Sequence, residues 1–161
     1  MKIYISLIES LCRVLHPIDI ISIKNKRRRI MEQTNYGYTK SVKLSYEETI
    51  EKVTEELKKE GFGVLTEIDV KATLKKKLDV DFKPYKILGA CNPPFAYKAL
   101  QIEEQIGLML PCNVIVYVND KGETVVATIN PIVSMQAVKN EKLGEVAETI
   151  QGKLKNVINN L

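Results

Sequence analysis

The segment from Cys112 to Ile129 constrains the fold more tightly than any other part of the chain. Cys112–Val118 is apolar on both of its faces, which is the pattern of a strand in the middle of a sheet. Asn119-Asp120-Lys121-Gly122 follows, a hairpin turn in which Gly122 is free to take positive φ. Thr124–Ile129 then returns as an antiparallel partner. Asn130-Pro131 stops it, because proline has no N–H to give a ladder. A chain that contains this hairpin builds its remaining elements around an antiparallel sheet.

The other elements follow from period and punctuation. Residues 36–44 read as a first strand, with Tyr36, Tyr38, Val42 and Leu44 at even spacing. Ser45 with Glu48 three residues on is a capping box, and Ile50, Val53 and Leu57 share one face of the helix it starts. Gly61 ends that helix. Residues 62–68 are a second strand. Asp69 caps a short helix carrying Val70, Leu74 and Leu78 at steps of four. Residues 84–91 are a third strand, broken by Asn92-Pro93-Pro94, and Pro94 suits the first turn of a helix running through Ile106 to Gly107. In the last helix, capped by Asn140, Leu143, Val146, Ala147, Ile150, Leu154, Val157, Ile158 and Leu161 form one stripe.

The order is β-α-β-α-β-α-β-β-α. It predicts the α+β class: a two-layer α/β sandwich whose largely antiparallel sheet carries helices on one face. The opposite face stays bare, two copies can bury it together, and a homodimer is expected.

Charge separates the chain into two parts. Its formal charge is +4, yet residues 1–30 alone hold seven basic and two acidic side chains. The remaining residues hold 17 basic and 18 acidic side chains, a near-neutral body without the bias of a nucleic-acid binder. Residues 1–30 are apolar with charged interruptions. They lack the clean apolar centre and small-residue cleavage site of a signal peptide. One reading is a membrane-surface helix with a basic anchor. The preferred reading is a mis-assigned start: Arg27-Arg28 would be a ribosome-binding AGG AGG read in frame, with Met31 as the true first residue. An intact mass that includes residues 1–30 would exclude it. Residues 31–161 are then one domain, of usual size for a single core.

No apolar run reaches the ~18–20 residues that cross a bilayer, so no membrane partner is expected. Three cysteines, Cys12, Cys91 and Cys112, are no disulfide scaffold. Reduced thiols in a cytoplasm are the expectation.

Few residues carry candidate chemistry. Cys91-Asn92 ends a strand and Cys112-Asn113 begins another, an echo that suggests adjoining strand ends. The pair reads as thiols for redox exchange or a soft metal, or as two small buried side chains. Glu67, Asp69 and Lys71 alternate where a strand meets a helix, as a carboxylate pair tuned by a cation or as a cap with solvated neighbours. Lys98 could draw an anion to a helix start, or be simply solvated. Only one histidine, His16, is present, and it precedes residue 31. The body therefore offers no Ser-His-Asp or Cys-His arrangement and no histidine for zinc, so no metal site is expected. Gly61-Phe62-Gly63 follows a helix and precedes a strand, the reverse of a phosphate-binding loop.

Three segments resemble the family catalogued as domain of unknown function 302. They are Gly61-Phe62-Gly63-Val64-Leu65-Thr66-Glu67-Ile68-Asp69-Val70, Ile87-Leu88-Gly89-Ala90-Cys91-Asn92-Pro93 and Leu110-Pro111-Cys112-Asn113-Val114. The resemblance runs from about Tyr36 to the last residue and does not reach residues 1–30. It implies a two-layer fold of the TATA-binding-protein type, commonly a homodimer, and implies no nucleic-acid binding. It points to Glu67, Asp69, Cys91, Asn92, Pro93, Pro111, Cys112 and Asn113 as site candidates without giving them roles, and it carries no cofactor.

Three functions compete. The favoured one is a small-ligand or ion-binding module lined by Glu67, Asp69, Cys91, Asn92, Cys112 and Asn113. The second is a thiol enzyme or redox sensor using Cys91 with Cys112. The third is a structural or interaction homodimer without a ligand.

Overall fold

The computed structural model describes residues 31–161. The expectations about residues 1–30, with Cys12 and His16, lie outside the described residues. The strands are β1 (Glu32–Gln33), β2 (Gly37–Val42), β3 (Gly63–Asp69), β4 (Tyr85–Cys91), β5 (Cys112–Val118) and β6 (Thr124–Ile129). The α-helices are α1 (Tyr46–Lys59), α2 (Val70–Leu78), α3 (Pro93–Ile102), α4 (Pro131–Gln136) and α5 (Gly144–Asn159). The strands form one sheet in the order β1-β2-β6-β5-β4-β3, and every neighbouring pair is antiparallel. Among the described residues no helix is long and apolar enough to cross a membrane.

Local chemistry sets the element ends. At α1 the Glu48 backbone N–H donates to Ser45 Oγ at 3.3 Å, and the Ser45 N–H donates to Glu48 Oε2 at 3.0 Å. Both halves of the expected capping box are thus formed. Gly61 leaves α1 at φ 83°, where a side chain would be strained. The hairpin turn closes with Gly122 at φ 75° and its N–H on the Asn119 carbonyl.

The sheet has one dry face. Tyr38, Leu88, Ala90, Val114, Val116 and Val126 lie on it, all fully or almost fully buried. Against them pack Val53 and Leu57 of α1, Ala99 of α3, and Val146, Ile150, Leu154, Val157 and Ile158 of α5. The alternation within β5 is explicit: Val114 and Val116 are buried, while Ile115 and Tyr117 on the other face are only half-buried. β5 is therefore central, as its apolar run predicts, yet helices cover one side of it alone.

Several details depart from the sequence reading. The two-residue β1 is too short to leave a period. Asn130-Pro131 ends β6 and also begins α4, because Asn130 Oδ1 accepts the Ile132 N–H at 3.1 Å and proline suits the first helical turn. Asn140 caps a 3₁₀ turn, Glu141–Leu143, and α5 starts only at Gly144. The helix after Pro93 stops at Ile102, and a second 3₁₀ turn, Glu104–Met109, carries Ile106 into the core. Finally, α2 buries none of its residues, so the Val70, Leu74, Leu78 stripe finds no core to face.

Candidate functional site

The antiparallel register of β4 and β5 sets Ala90 opposite Cys112. The end of β4 and the start of β5 therefore meet, and the two Cys-Asn pairs adjoin. Cys91, Asn92 and Cys112 line one cavity with Phe62, Phe95 and Leu110. That cavity measures about 20 Å³, room for about one water molecule.

Asn92 is buried although polar, and its side chain explains why. Asn92 Nδ2 donates to the Glu60 carbonyl at the end of α1, 3.2 Å away. Lys153 Nζ of α5 donates to the same oxygen at 3.1 Å. The Asn92 amide thus occupies a helix C-terminus left open by the turn at Gly61. A Cβ on Gly61 would stand 3.1 Å from it.

Both thiols are free and both are held above their ordinary range. Burial pushes Cys91 up. Burial, with the neighbouring Cys91 as a smaller cause, pushes Cys112 up to about 11. Activated thiols need the opposite environment, a cation or an aligned helix N-terminus. Alkylation of the native protein at pH 8 should therefore be slow at Cys91 and negligible at Cys112, with peptide mapping to separate both from Cys12. Labelling of either at the rate of a free thiol at pH 7 would contradict this placement.

The remaining candidates lie elsewhere, and the expected common hollow of all six residues does not form. Glu67 on β3 pairs with Lys86 Nζ at 3.2 Å, exposed to solvent. Asp69 caps α2 by accepting the Ala72 N–H at 2.8 Å. In the register Glu67 faces Leu88 and Asp69 faces Lys86, whereas Gly63 faces Cys91, so the acidic corner is displaced along β4 by three to five residues, about 10–16 Å. Asn113 follows Cys112 in sequence and points to the other face of the sheet, where it lines a different hollow. Lys71 is exposed on α2, and Lys98 is paired with Glu145 at 3.1 Å. Pro93 opens α3, and Pro111 lies against Gly89 of β4. Among the described residues no three His, Cys, Asp or Glu side chains gather as metal ligands would.

The other hollow is one the sequence reading does not identify. It measures about 290 Å³ on the open face of the sheet, between Tyr36, Thr39, Asn113, Ile115, Tyr117 and Ala127. Its signal in the sequence is the pair of small residues Gly37 and Ala127, which stand on neighbouring strands β2 and β6.

An antiparallel sheet with helices layered on one face, a largely open second face and two half-buried thiols at one corner define a two-layer α+β sandwich. Its position among known proteins is specific: the chain belongs to the family described as Domain of unknown function DUF302, whose model matches residues 38–161. It is similar to the crystal structure of a conserved DUF302 protein from Bacillus stearothermophilus, at 34% identity and a TM-score of 0.74. That similarity covers 79% of this chain and 98% of the other. No curated protein matches the chain.

Proposed function

We propose that the chain works as a homodimeric interaction module whose two copies pack their open sheet faces together. The observation that carries this reading is the chemistry of that face. On the five strands from β2 to β3 its residues include Thr39, Val125, Ala127, Ile115, Ile87 and Ile68, with no charged residue among them, and charge stands at its rim: Glu32 of β1 opposite Thr39, and Lys83 with its Nζ 5.9 Å from the Tyr117 ring. Charged groups normally cover a solvated sheet face, in alternation with the buried side. Tyr36 and Ile68 are left 73% and 47% exposed, which is large for a face that meets only water.

Area agrees. Five strands about 4.8 Å apart, each of about six residues at ~3.3 Å, span roughly 24 by 20 Å. That outline is about 480 Å², and the side chains standing on it present more accessible area than the outline itself, toward the ~800 Å² per partner of a standard interface. A two-fold axis through the face would set each uncharged patch against its own copy. The thiol reading draws less support, because burial pushes both thiols up, away from the thiolate. The corner of Cys91, Asn92 and Cys112 is too small for a ligand beyond water and acts as packing. Two free thiols suit a reducing compartment, and we place the protein in a cytoplasm.

Sedimentation velocity at about 20 μM should give twice the chain mass of 18.2 kDa. Ala127→Lys puts two ammonium groups against each other at the centre of the interface and should yield monomers that still fold. A wild-type protein that stays monomeric at that concentration, or an Ala127→Lys variant that stays dimeric, removes the proposal.

A further inference from the structure

We infer that residues 78–82 form a docking ridge for a second copy of this chain, and that α2 takes its stability from that contact. The ridge belongs to the homodimer proposed above and rests on that reading, adding to it an element outside the sheet.

What sets the ridge apart is its inverted exposure. Residues 78–83 read Leu-Asp-Val-Asp-Phe-Lys, with apolar and charged side chains in alternation. A segment that meets only water turns its charges outward and covers its large apolar groups. Here each charged side chain is tied back to its own chain. Lys75 Nζ of α2 lies 2.9 Å from Asp79 Oδ1 and 3.5 Å from Asp81 Oδ1. Lys83 Nζ lies 2.9 Å from Asp120 Oδ1 in the hairpin turn. The apolar side chains are the ones left outside: Leu78, Val80 and Phe82 are 65%, 44% and 38% exposed. Ion pairs in solvent add little stability, so what these contribute is direction. Asp79, at φ 54°, closes α2 with its N–H on the Lys75 carbonyl and sets the turn from which the ridge starts.

The occupant follows from continuity and from area. The Phe82 ring lies 6.3 Å from that of Tyr85, which stacks at 5.4 Å on Tyr117 of the open sheet face. A copy that covers the open face therefore reaches the ridge as well. Large side chains carry about 150–250 Å² each, so at these exposures the three supply roughly 200–350 Å². Added to the outline of about 480 Å², that brings each partner close to the ~800 Å² of a standard interface. A two-fold axis uses the ridge twice, once from each copy. The helix beside it needs the same contact. None of the residues of α2 is buried. Helices shorter than about 12 residues are marginal in water without tertiary packing, and a copy seated on Leu78 supplies that packing.

The test compares the full wild-type chain with the double variant Leu78→Ser, Val80→Ser, and takes Leu100→Ser as control. Leu100 is 45% exposed on α3, a helix that packs on the dry face of the sheet through Ala99. In sedimentation velocity over a dilution series, the double variant should dimerise at least thirtyfold more weakly than wild type, and Leu100→Ser should match wild type. Amide exchange reads α2 directly. From Lys71 to Leu78 it should be at least tenfold slower in the wild-type dimer than in the monomeric Ala127→Lys variant. A folded double variant that dimerises as tightly as wild type overturns the ridge and leaves the open-face dimer standing. Equal α2 exchange in dimer and monomer does the same, whether or not the double variant folds, and would assign the exposed side chains to a different protein. Weakening by Leu100→Ser as large as that of the double variant also overturns it. A wild-type chain that stays monomeric, or an Ala127→Lys variant that stays dimeric, overturns the ridge together with the dimer on which it rests.

Discussion

Gly89→Ala lowers the stability of this domain by about 2–4 kcal/mol, and Gly89→Val leaves little folded protein at 37 °C. Gly89 is in β4, with Thr66 of β3 opposite it on one side and Asn113 of β5 on the other. A Cβ built there runs into Thr66 Oγ1 and comes within 2.8 Å of Pro111 Cγ. Two groups, Thr66 on β3 and Pro111 just before β5, must yield together, and the two ladders that flank Gly89 hold its backbone still. Extra methyl groups in a packed site cost about 1–3 kcal/mol, and more where relaxation is blocked on both sides. Thr66 is the softer neighbour, since it is exposed and can change rotamer. The double variant Gly89→Ala with Thr66→Ala should therefore recover part of the loss, with a coupling of about 1 kcal/mol. Urea unfolding midpoints measure all three. A Gly89→Ala midpoint equal to the wild type would mean that β4 and β5 sit further apart than described.

This glycine also shows what kind of information the sequence carries. Capping, hairpin closure and strand ends are local, and Ser45, Glu48, Asn119, Gly122 and Pro93 are legible because each acts within a few residues of itself. Asn130-Pro131 is only half legible: the same proline that closes a strand opens a helix, and nothing local says a helix follows. The α2 stripe misleads for a different reason. Val70, Leu74 and Leu78 have helical spacing, but spacing does not say whether another layer lies against them, and none of them is buried.

The candidate site was legible in its parts and not in its assembly. The repeated Cys-Asn pairs do mark adjoining strand ends, because an antiparallel register joins the end of β4 to the start of β5. The same alternation that brings Cys112 inward sends Asn113 to the other face. Motif segments close in sequence or similar in pattern thus divide between two sides of one sheet. The acidic pair fails to join them for a metric reason, being three to five residues further along the strand. The hollow on the open face is hard to read from the sequence because it is defined by two small residues, Gly37 and Ala127, on different strands. Two small residues on separate strands become a feature only once the register is known.

Lys40→Met should cost about 2–4 kcal/mol, an effect rarely seen at a lysine in a strand. Lys40 lies between Tyr38 and Val42 on the face turned toward the helices, where β alternation calls for an apolar residue. It is 8% exposed. Its ammonium reaches the end of α5 and donates to the carbonyls of Ile158, Asn159 and Leu161 at 3.1, 2.8 and 2.6 Å. The last carbonyls of a helix have no partner within it and gather the negative end of its dipole, so a buried cation there satisfies two helix carbonyls, Ile158 and Asn159, and the Leu161 oxygen just beyond the helix. Methionine keeps the stem and its packing while removing the charge and all three donors. The carbonyl groups are then left partly dry, and each unsatisfied group costs about 1–3 kcal/mol, less where water can follow. Lys155 on α5 provides the contrast. It contacts Gln151 at 3.2 Å and lies 4.8 Å from the Tyr38 ring, with solvent nearby. Lys155→Met should cost under about 1 kcal/mol. Denaturant unfolding compares the two. Amide exchange at Asn156, Val157 and Ile158 should accelerate in Lys40→Met alone, since only that change frees the helix end to fray. Equal stabilities for the two variants would mean that Lys40 is no more than a solvated side chain at the sheet edge, and α5 would need another anchor.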